Sequence, residues 1–421
     1  MSILIKNVLH NNQTTDVLIK DNIYARIAPN IDEPADIVLD GTNKAILPAF
    51  YNTHAHAAMT VLKGLGDDKP LFEWLNQDIW PIEAKMTPED IYDATRLAIL
   101  EMIKTGTVFF SDMYWFMEKS IEAVQEMGVR AAVSLVQFDL FDEKQAEAKK
   151  KLALEFYSAP NPCPERIMKS ISCHAVYTVS EDLFTWTKDF ADKNDLYIHI
   201  HASETAQEVK DCYEKYGKSP IEKLEEWGLL SEKTILAHSV HLSEKDIEIL
   251  SKHKVNIATN PVSNMKLCSG LLQFKKLLQT NCNLTLGTDG SASNNNLSML
   301  EEMKMCSMAA KIQSMDASDG NAHDIFKIAT QNGAKCFGLN AGVVEENALA
   351  DGILVDLNNV FLTPNHNLIS NMVYAADSSV ITDVFCDGKM LMQDRKINNE
   401  AQILEKANIL AKKIRAYKNS D

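Results

Sequence analysis

The chain has 421 residues, 46% of them hydrophobic, enough to bury one barrel-sized core with material left for a smaller domain. Its 58 acidic against 42 basic side chains leave a formal charge of -16, which repels a phosphate backbone and argues against a nucleic-acid partner. The opening stretch MSILIKNVLHNNQTTDVLIKD lacks a basic start followed by an apolar core, and no apolar run of about eighteen residues occurs later, so no signal and no membrane span are expected and a cytoplasmic location is the default.

Short alternating segments come first: Ile3-Leu4-Ile5, Asp16-Val17-Leu18-Ile19 and Ile37-Val38-Leu39 read as strands. From about residue 45 to 340, apolar β-branched runs then alternate with helical patterns, as in βα units around a parallel sheet. Eight such strands are predicted: Ala45 to His56, Thr107 to Met113, Arg130 to Gln137, Ile167 to His174, Leu196 to His201, Thr234 to His238, Val255 to Asn260 and Asn283 to Asp289. Caps announce the helices between them. Thr87-Pro88-Glu89-Asp90 places a cap, a first-turn proline and a carboxylate ahead of Ile91, Ala94, Ala98 and Met102, and Ser243-Glu244-Lys245-Asp246 repeats the logic. Eight strands with intervening helices favour a closed (β/α)8 barrel over a doubly wound sheet.

Beyond the barrel, Gly352 to Asp356 and Val384 to Lys389 again read as strand segments, and Glu400 to Tyr417 carries a helical period. Strands too few for a sheet at either end can complete one β-domain together. The expected organisation is therefore 1–47 and 345–421 as the two halves of a small composite β-domain, the second ending in a helix, around a barrel at 48–344.

Cys163, Cys173, Cys212, Cys268, Cys282, Cys306, Cys336 and Cys386 form no CxxC pair and are expected as buried free thiols. Pro162-Cys163 lacks the second cysteine of the zinc signature in cytidine-type deaminases, so a metal here must rely on histidine and carboxylate. Thr53-His54-Ala55-His56 ends the first barrel strand, where residues two apart face the same side. His201, His238 and Asp289 end the fifth, sixth and eighth strands, and in a parallel barrel all those ends lie on the face where active sites are built. Histidines with one carboxylate suit one divalent cation, zinc first and iron or another first-row ion second. His199 shares the facing of His201, but Glu204 lies three residues beyond His201, which favours His201 as the ligand and leaves His199 to support it or fill the barrel. His10, His253, His323 and His366 fall outside strand ends and read as ordinary surface or core residues.

The chain resembles the amidohydrolase superfamily, and within it the branch of deaminases and chlorohydrolases that includes the methylthioadenosine and S-adenosylhomocysteine deaminases. The resemblance rests on Pro48 to His56, Pro81-Ile82-Glu83, Ser111 to Tyr114, His201-Ala202-Ser203-Glu204-Thr205, Ala237 to Leu242, Asn260 to Leu267 and Gly287 to Asn295. Binuclear relatives carry a bridging carboxylated lysine on the fourth strand, where this chain has Cys173-His174, so a single metal is implied. By position the resemblance implies that His54, His56, His201 and Asp289 hold it, that Glu204 shuttles a proton to the ring nitrogen and that His238 hydrogen-bonds the nucleophile. Asp289 then takes the water's proton for the leaving ammonia, Glu83 accepts hydrogen bonds from ribose hydroxyls, and His174 contacts the nucleoside. Trp74, Trp80 and Trp115 are given no role. The same resemblance implies a homo-oligomer.

One departure bears on the substrate. Relatives that act on S-adenosylhomocysteine clamp its carboxylate with arginines, yet Ala132 to Val136 and Phe141 to Gln145 contain none, and Lys144 lacks the planar fork. The expected activity is hydrolytic deamination of an adenine nucleoside, with adenosine, methylthioadenosine and 5'-deoxyadenosine open and S-adenosylhomocysteine questioned. An amino- or chloro-substituted heterocycle such as guanine, a pterin or a triazine is the alternative, and a non-catalytic scaffold on a decayed barrel a third.

Overall fold

A computed structural model describes residues 1–418; Asn419 to Asp421, the tail of the predicted C-terminal segment, lie outside the described residues. Strands β1 (Ser2–His10), β2 (Gln13–Lys20) and β3 (Ile23–Ala28) form an antiparallel meander, and β4 (Ile37–Asp40) and β5 (Lys44–Pro48) join β1 in parallel. The single strand predicted from Ala45 to His56 is two, because β6 (Phe50–His56) belongs to a different sheet from β5. The switch is visible in successive amides: Ala49 N–H donates to Asp351 O at 3.2 Å and Phe50 N–H to Gly106 O at 2.9 Å.

From β6 the chain winds a parallel sheet in sequence order through β7 (Thr107–Tyr114), β8 (Arg130–Gln137), β9 (Ile167–Ala175), β10 (Ile198–Ala202), β11 (Thr234–His238), β12 (Asn256–Thr259) and β13 (Asn283–Leu286). These strands are buried over most of their length, since helices cover one face and the barrel interior the other. The predicted strand Asn283 to Asp289 is interrupted at Gly287-Thr288, and its far end, β14 (Asp289–Gly290), pairs with β6, Asp289 opposite Ala55. Side chains complete this closure: Thr53 Oγ1 lies 2.7 Å from Thr285 Oγ1, and Asn52 Nδ2 donates to Thr288 Oγ1 at 2.7 Å. Gly287 is needed there, because a Cβ would stand 2.8 Å from both the N and the Cβ of His54. The predicted caps are formed as well, Thr87 heading helix Pro88–Lys104 and Ser243 helix Glu244–His253, each in a reciprocal capping box.

Beyond the barrel, β15 (Gly352–Asp356) runs antiparallel to β5 and brings the chain's two ends into one mixed sheet with β16 (Ile381–Cys386) and β17 (Lys389–Met392). The predicted segment Val384 to Lys389 is thus the end of β16, a turn at Asp387-Gly388 and the first residue of β17. A buried charge cluster ties this sheet to the barrel: Arg130 Nε meets Asp351 Oδ2 at 2.8 Å and Nη2 meets Asp387 Oδ1 at 2.7 Å, with Tyr51 OH donating to Asp351. The last helix, Glu400–Lys418, packs on helix Pro88–Lys104, where Lys413 pairs with Asp90 at 2.7 Å. Six of the eight free cysteines are buried as expected, while Cys282 is half-buried and Cys268 exposed. No helix among the described residues is long and apolar enough to cross a membrane.

Candidate active site

His54 and His56 leave β6 on one side, and β10 and β14 deliver His201 and Asp289 to the same point. Their ligand atoms all lie within 4.8 Å of one another. Asp289 Oδ1 stands 3.3 Å from His54 Nε2 and 3.2 Å from His56 Nε2, and the Nε2 atoms of His56 and His201 are 3.2 Å apart. The opposite ring nitrogens fix the tautomers. His56 Nδ1 faces Met113 O at 2.7 Å and His201 Nδ1 faces His174 O at 2.8 Å; a carbonyl only accepts, so both Nδ1 atoms carry hydrogen. In the neutral rings two Nε2 lone pairs then point at each other, and buried His54 Nε2 has only the Asp289 carboxylate 3.3 Å away, without a well-formed hydrogen bond. A positive charge at the centre resolves all three, so the donor set fits a divalent cation.

The electrostatics agree. Burial lowers His56, but the Asp289 carboxylate outweighs it and holds the ring at about 9, while burial and His56 keep His54 down at about 4. Asp289 itself stays well below the usual carboxylate range despite burial, because both histidines face it. Its second oxygen is held away from the centre: Oδ2 accepts from Ser263 Oγ at 2.6 Å and from Ser293 Oγ at 2.8 Å. His199 does not enter the cluster; its Nε2 lies 3.0 Å from His54 Nδ1 and its Nδ1 3.2 Å from Ser111 Oγ, so it orients a ring that the strand alone leaves free to turn.

Glu204 and His238 stand beside the cluster, with Glu204 Oε2 3.7 Å from His238 Nε2. Burial raises the Glu204 carboxyl above its ordinary range, against the pull of His238. Asn264 Oδ1 accepts from His238 Nδ1 at 2.8 Å, which turns Nε2 as an acceptor toward the cluster. The carrying turns are strained: Ser203, His238, Ser239 and Asp289 all have left-handed backbone, with φ of 53°, 69°, 52° and 60°. Glu208 helps hold the first of them, accepting from Ser203 N–H at 3.1 Å and Glu204 N–H at 2.7 Å.

These groups open into a cavity that also takes in Glu83 and His174. Glu83 is buried, and Tyr114 OH donates to its Oε1 at 2.5 Å; burial still raises its pKa. His174 Nδ1 contacts Thr178 Oγ1 at 2.8 Å, and burial with the nearby histidines lowers the ring to about 3. Trp74, Trp80 and Trp115, to which no role was assigned from sequence, line this cavity. Trp80, Glu83 and Trp115 also border an adjoining, mostly apolar pocket. Its one lysine is Lys149, over the Trp115 ring at 4.9 Å and in no ion pair among the described residues, whereas Lys144 is exposed. Ser263, Ser293, Asn264 and Glu208 were not singled out from the sequence. Ser263 and Asn264 fall within the stretch Asn260 to Leu267 and Ser293 within Gly287 to Asn295, both of which carry the family resemblance, but neither stretch by itself assigns these side chains a role.

The amidohydrolase family pattern matches residues 45–391. The 5-methylthioadenosine/S-adenosylhomocysteine deaminase of Thermococcus sibiricus is 44% identical over 400 residues, covering 93% of this chain and 94% of that protein. The 5'-deoxyadenosine deaminase of Methanosphaera stadtmanae is 39% identical over 420 residues, covering 98% and 99%. Among solved structures, an adenosine deaminase from Xanthomonas campestris with bound zinc superposes with a TM-score of 0.91 at 31% identity, covering 99% of this chain and 98% of that one. With this match spanning the barrel and its metal-fitting cluster, the chain belongs to the amidohydrolase family.

Proposed function

We propose that this protein is a metal-dependent deaminase that hydrolyses the exocyclic amine of an adenine nucleoside to give the inosine analogue and ammonia. The observation that carries it is the meeting, in one cavity, of the cation-fitting cluster, the Glu204–His238 pair and the buried Glu83. His54, His56, His201 and Asp289 would hold one divalent ion, zinc in the first instance. Such an ion lowers the pKa of water to about 7, making it a nucleophile at neutral pH.

The chain's own groups supply the rest. Glu204, kept protonated more readily by burial, donates to the ring nitrogen beside the attacked carbon, where negative charge develops. His238 Nε2 accepts a hydrogen bond from the nucleophile and aligns it, and Asp289 Oδ1 receives the water's proton and returns it to the departing ammonia. Glu83 accepts hydrogen bonds from the ribose hydroxyls, steadied by Tyr114, and His174 borders the nucleoside. A ribose held at Glu83 lies at the border of the adjoining pocket, so the 5' substituent enters it. Its apolar walls favour 5'-deoxyadenosine and methylthioadenosine over S-adenosylhomocysteine, for whose carboxylate Lys149 is the one cation lining the pocket among the described residues.

Ammonia release is measured on adenosine, 5'-deoxyadenosine, methylthioadenosine, S-adenosylhomocysteine, adenine and guanine, with zinc content assayed alongside. Nucleoside turnover that falls roughly 100-fold or more in Glu204→Gln at unchanged zinc content is expected. Turnover confined to free bases, or none in zinc-loaded protein, would refute the reading. Lys149→Met should slow S-adenosylhomocysteine alone.

A further inference from the structure

The side chains that orient Asp289 and His238 stand on elements that cannot hold themselves. Ser263 and Asn264 lie on a helix of six residues, Pro261–Lys266, and Ser293 on one of four, Ser291–Asn294. Helices so short are unstable alone, and neither N-cap residue, Asn260 or Gly290, provides a side-chain cap. They are joined to each other by Ser263 and Ser293, 2.9 Å apart, and both are hydrogen-bonded to one residue of helix Met299–Ser314. Glu302, fully buried, accepts from Val262 N–H at 3.2 Å, a first-turn amide that its own helix leaves unpaired, and from Asn294 Nδ2 at 2.5 Å. The same Asn294 amide donates to Thr288 O at 2.7 Å, the carbonyl next to Asp289. No cation pairs with Glu302 among the described residues, and it does not line the cavity. Burial pushes the Glu302 carboxyl well above the usual carboxylate range, and a polar group buried this deeply is costly unless its hydrogen bonds are used, so a core that needed only packing is better served by an apolar side chain.

We infer that Glu302 is a positioning residue, which braces both short helices and thereby aims Asp289 Oδ1 and His238 Nε2 at the metal cluster. It acts through Ser263, Asn264 and Ser293 and touches no substrate. The kinetic consequence rests on the deaminase reading, but the metal consequence does not, since Asp289 is itself one of the four converging groups.

The test compares Glu302→Leu, which removes both acceptors at similar size, with Glu302→Gln, which keeps one. Zinc affinity is measured by chelator competition and deamination by kcat and KM. Loss of an orienting partner is expected to weaken zinc binding roughly 10- to 100-fold in Glu302→Leu, to lower kcat by a similar factor with KM changed by less than about threefold, and to leave Glu302→Gln in between. A folded Glu302→Leu protein whose zinc affinity and kcat stay within about threefold of the parent overturns the inference, as does a lower melting temperature with zinc affinity unchanged. Should Glu302→Leu fail to fold, Asn294→Ala severs one brace, and unaltered zinc affinity there is equally decisive against it. A parent protein that binds zinc but deaminates nothing refutes the proposed activity and leaves this inference to the zinc measurement.

Discussion

Stripping the metal turns the histidine cluster into a proton trap, and the pH dependence of reloading follows from the geometry. In the metal-free protein Asp289 opposes the burial penalty and holds His56 at about 9, against an ordinary 6.5. His54, at about 4, and His201, pushed well below its ordinary value by burial and its neighbours, take no proton near neutrality, so the trap holds one. A raised histidine stabilises the fold fully below its unfolded value near 6.5, and that contribution is lost as pH rises through about 9, an effect of roughly 3 kcal/mol at ~1.4 kcal/mol per unit. Zinc must displace the same proton. That proton alone lowers the apparent affinity roughly 100-fold at pH 7, and its contribution is relieved about tenfold per pH unit and is gone above pH 9. Chelator-stripped protein is titrated with zinc across this range, and calorimetry in two buffers of different ionisation enthalpy counts the protons released, with between about one and two expected near pH 7.5, one from His56 and the remainder from water on the metal. A flat affinity with no proton released, or metal-free protein whose melting temperature does not fall between pH 6.5 and 9, would refute the reasoning.

Three other perturbations probe different parts of the structure. Tyr114→Phe removes the hydroxyl that donates to buried Glu83, a hydrogen bond to a charged group worth ~1.5–3 kcal/mol, so kcat/KM for nucleosides should drop roughly 10- to 100-fold; a change below threefold contradicts the ribose role. Arg130→Leu leaves Asp351 and Asp387 buried without their cation and should cost about 3–5 kcal/mol in urea unfolding, while the folded fraction keeps its zinc affinity. Gly287→Ala forces a Cβ against the His54 backbone and should weaken zinc binding at little cost in secondary structure, as read by chelator competition and circular dichroism.

Much of the fold is legible along the chain because strand and helix signals are local. Runs of β-branched residues between capped helices locate Arg130–Gln137 and Thr234–His238 to the residue, and Ser243 marks a helix start unaided. Where the sequence reading joined what the structure separates, at Pro48-Ala49 and at Gly287-Thr288, the cause is a change of hydrogen-bonding partner, which hydrophobic pattern does not encode. The same division runs through the site. A period of two puts His54 and His56 on one side of their strand, and the ends of parallel strands share one face of the barrel, so the cluster's members can be named from sequence. Which nitrogen of each ring points inward depends on Met113 O, His174 O and His199, and the aim of Asp289 depends on Ser263, Ser293 and, behind them, Glu302. Those partners are tens to more than a hundred residues away in the chain or across a turn, and only closure of the barrel brings them within hydrogen-bond reach. Sequence thus determined which groups the strand ends present, whereas tertiary structure alone decided their tautomers and direction, because a hydrogen bond is set by distances of a few tenths of an ångström that no local pattern carries.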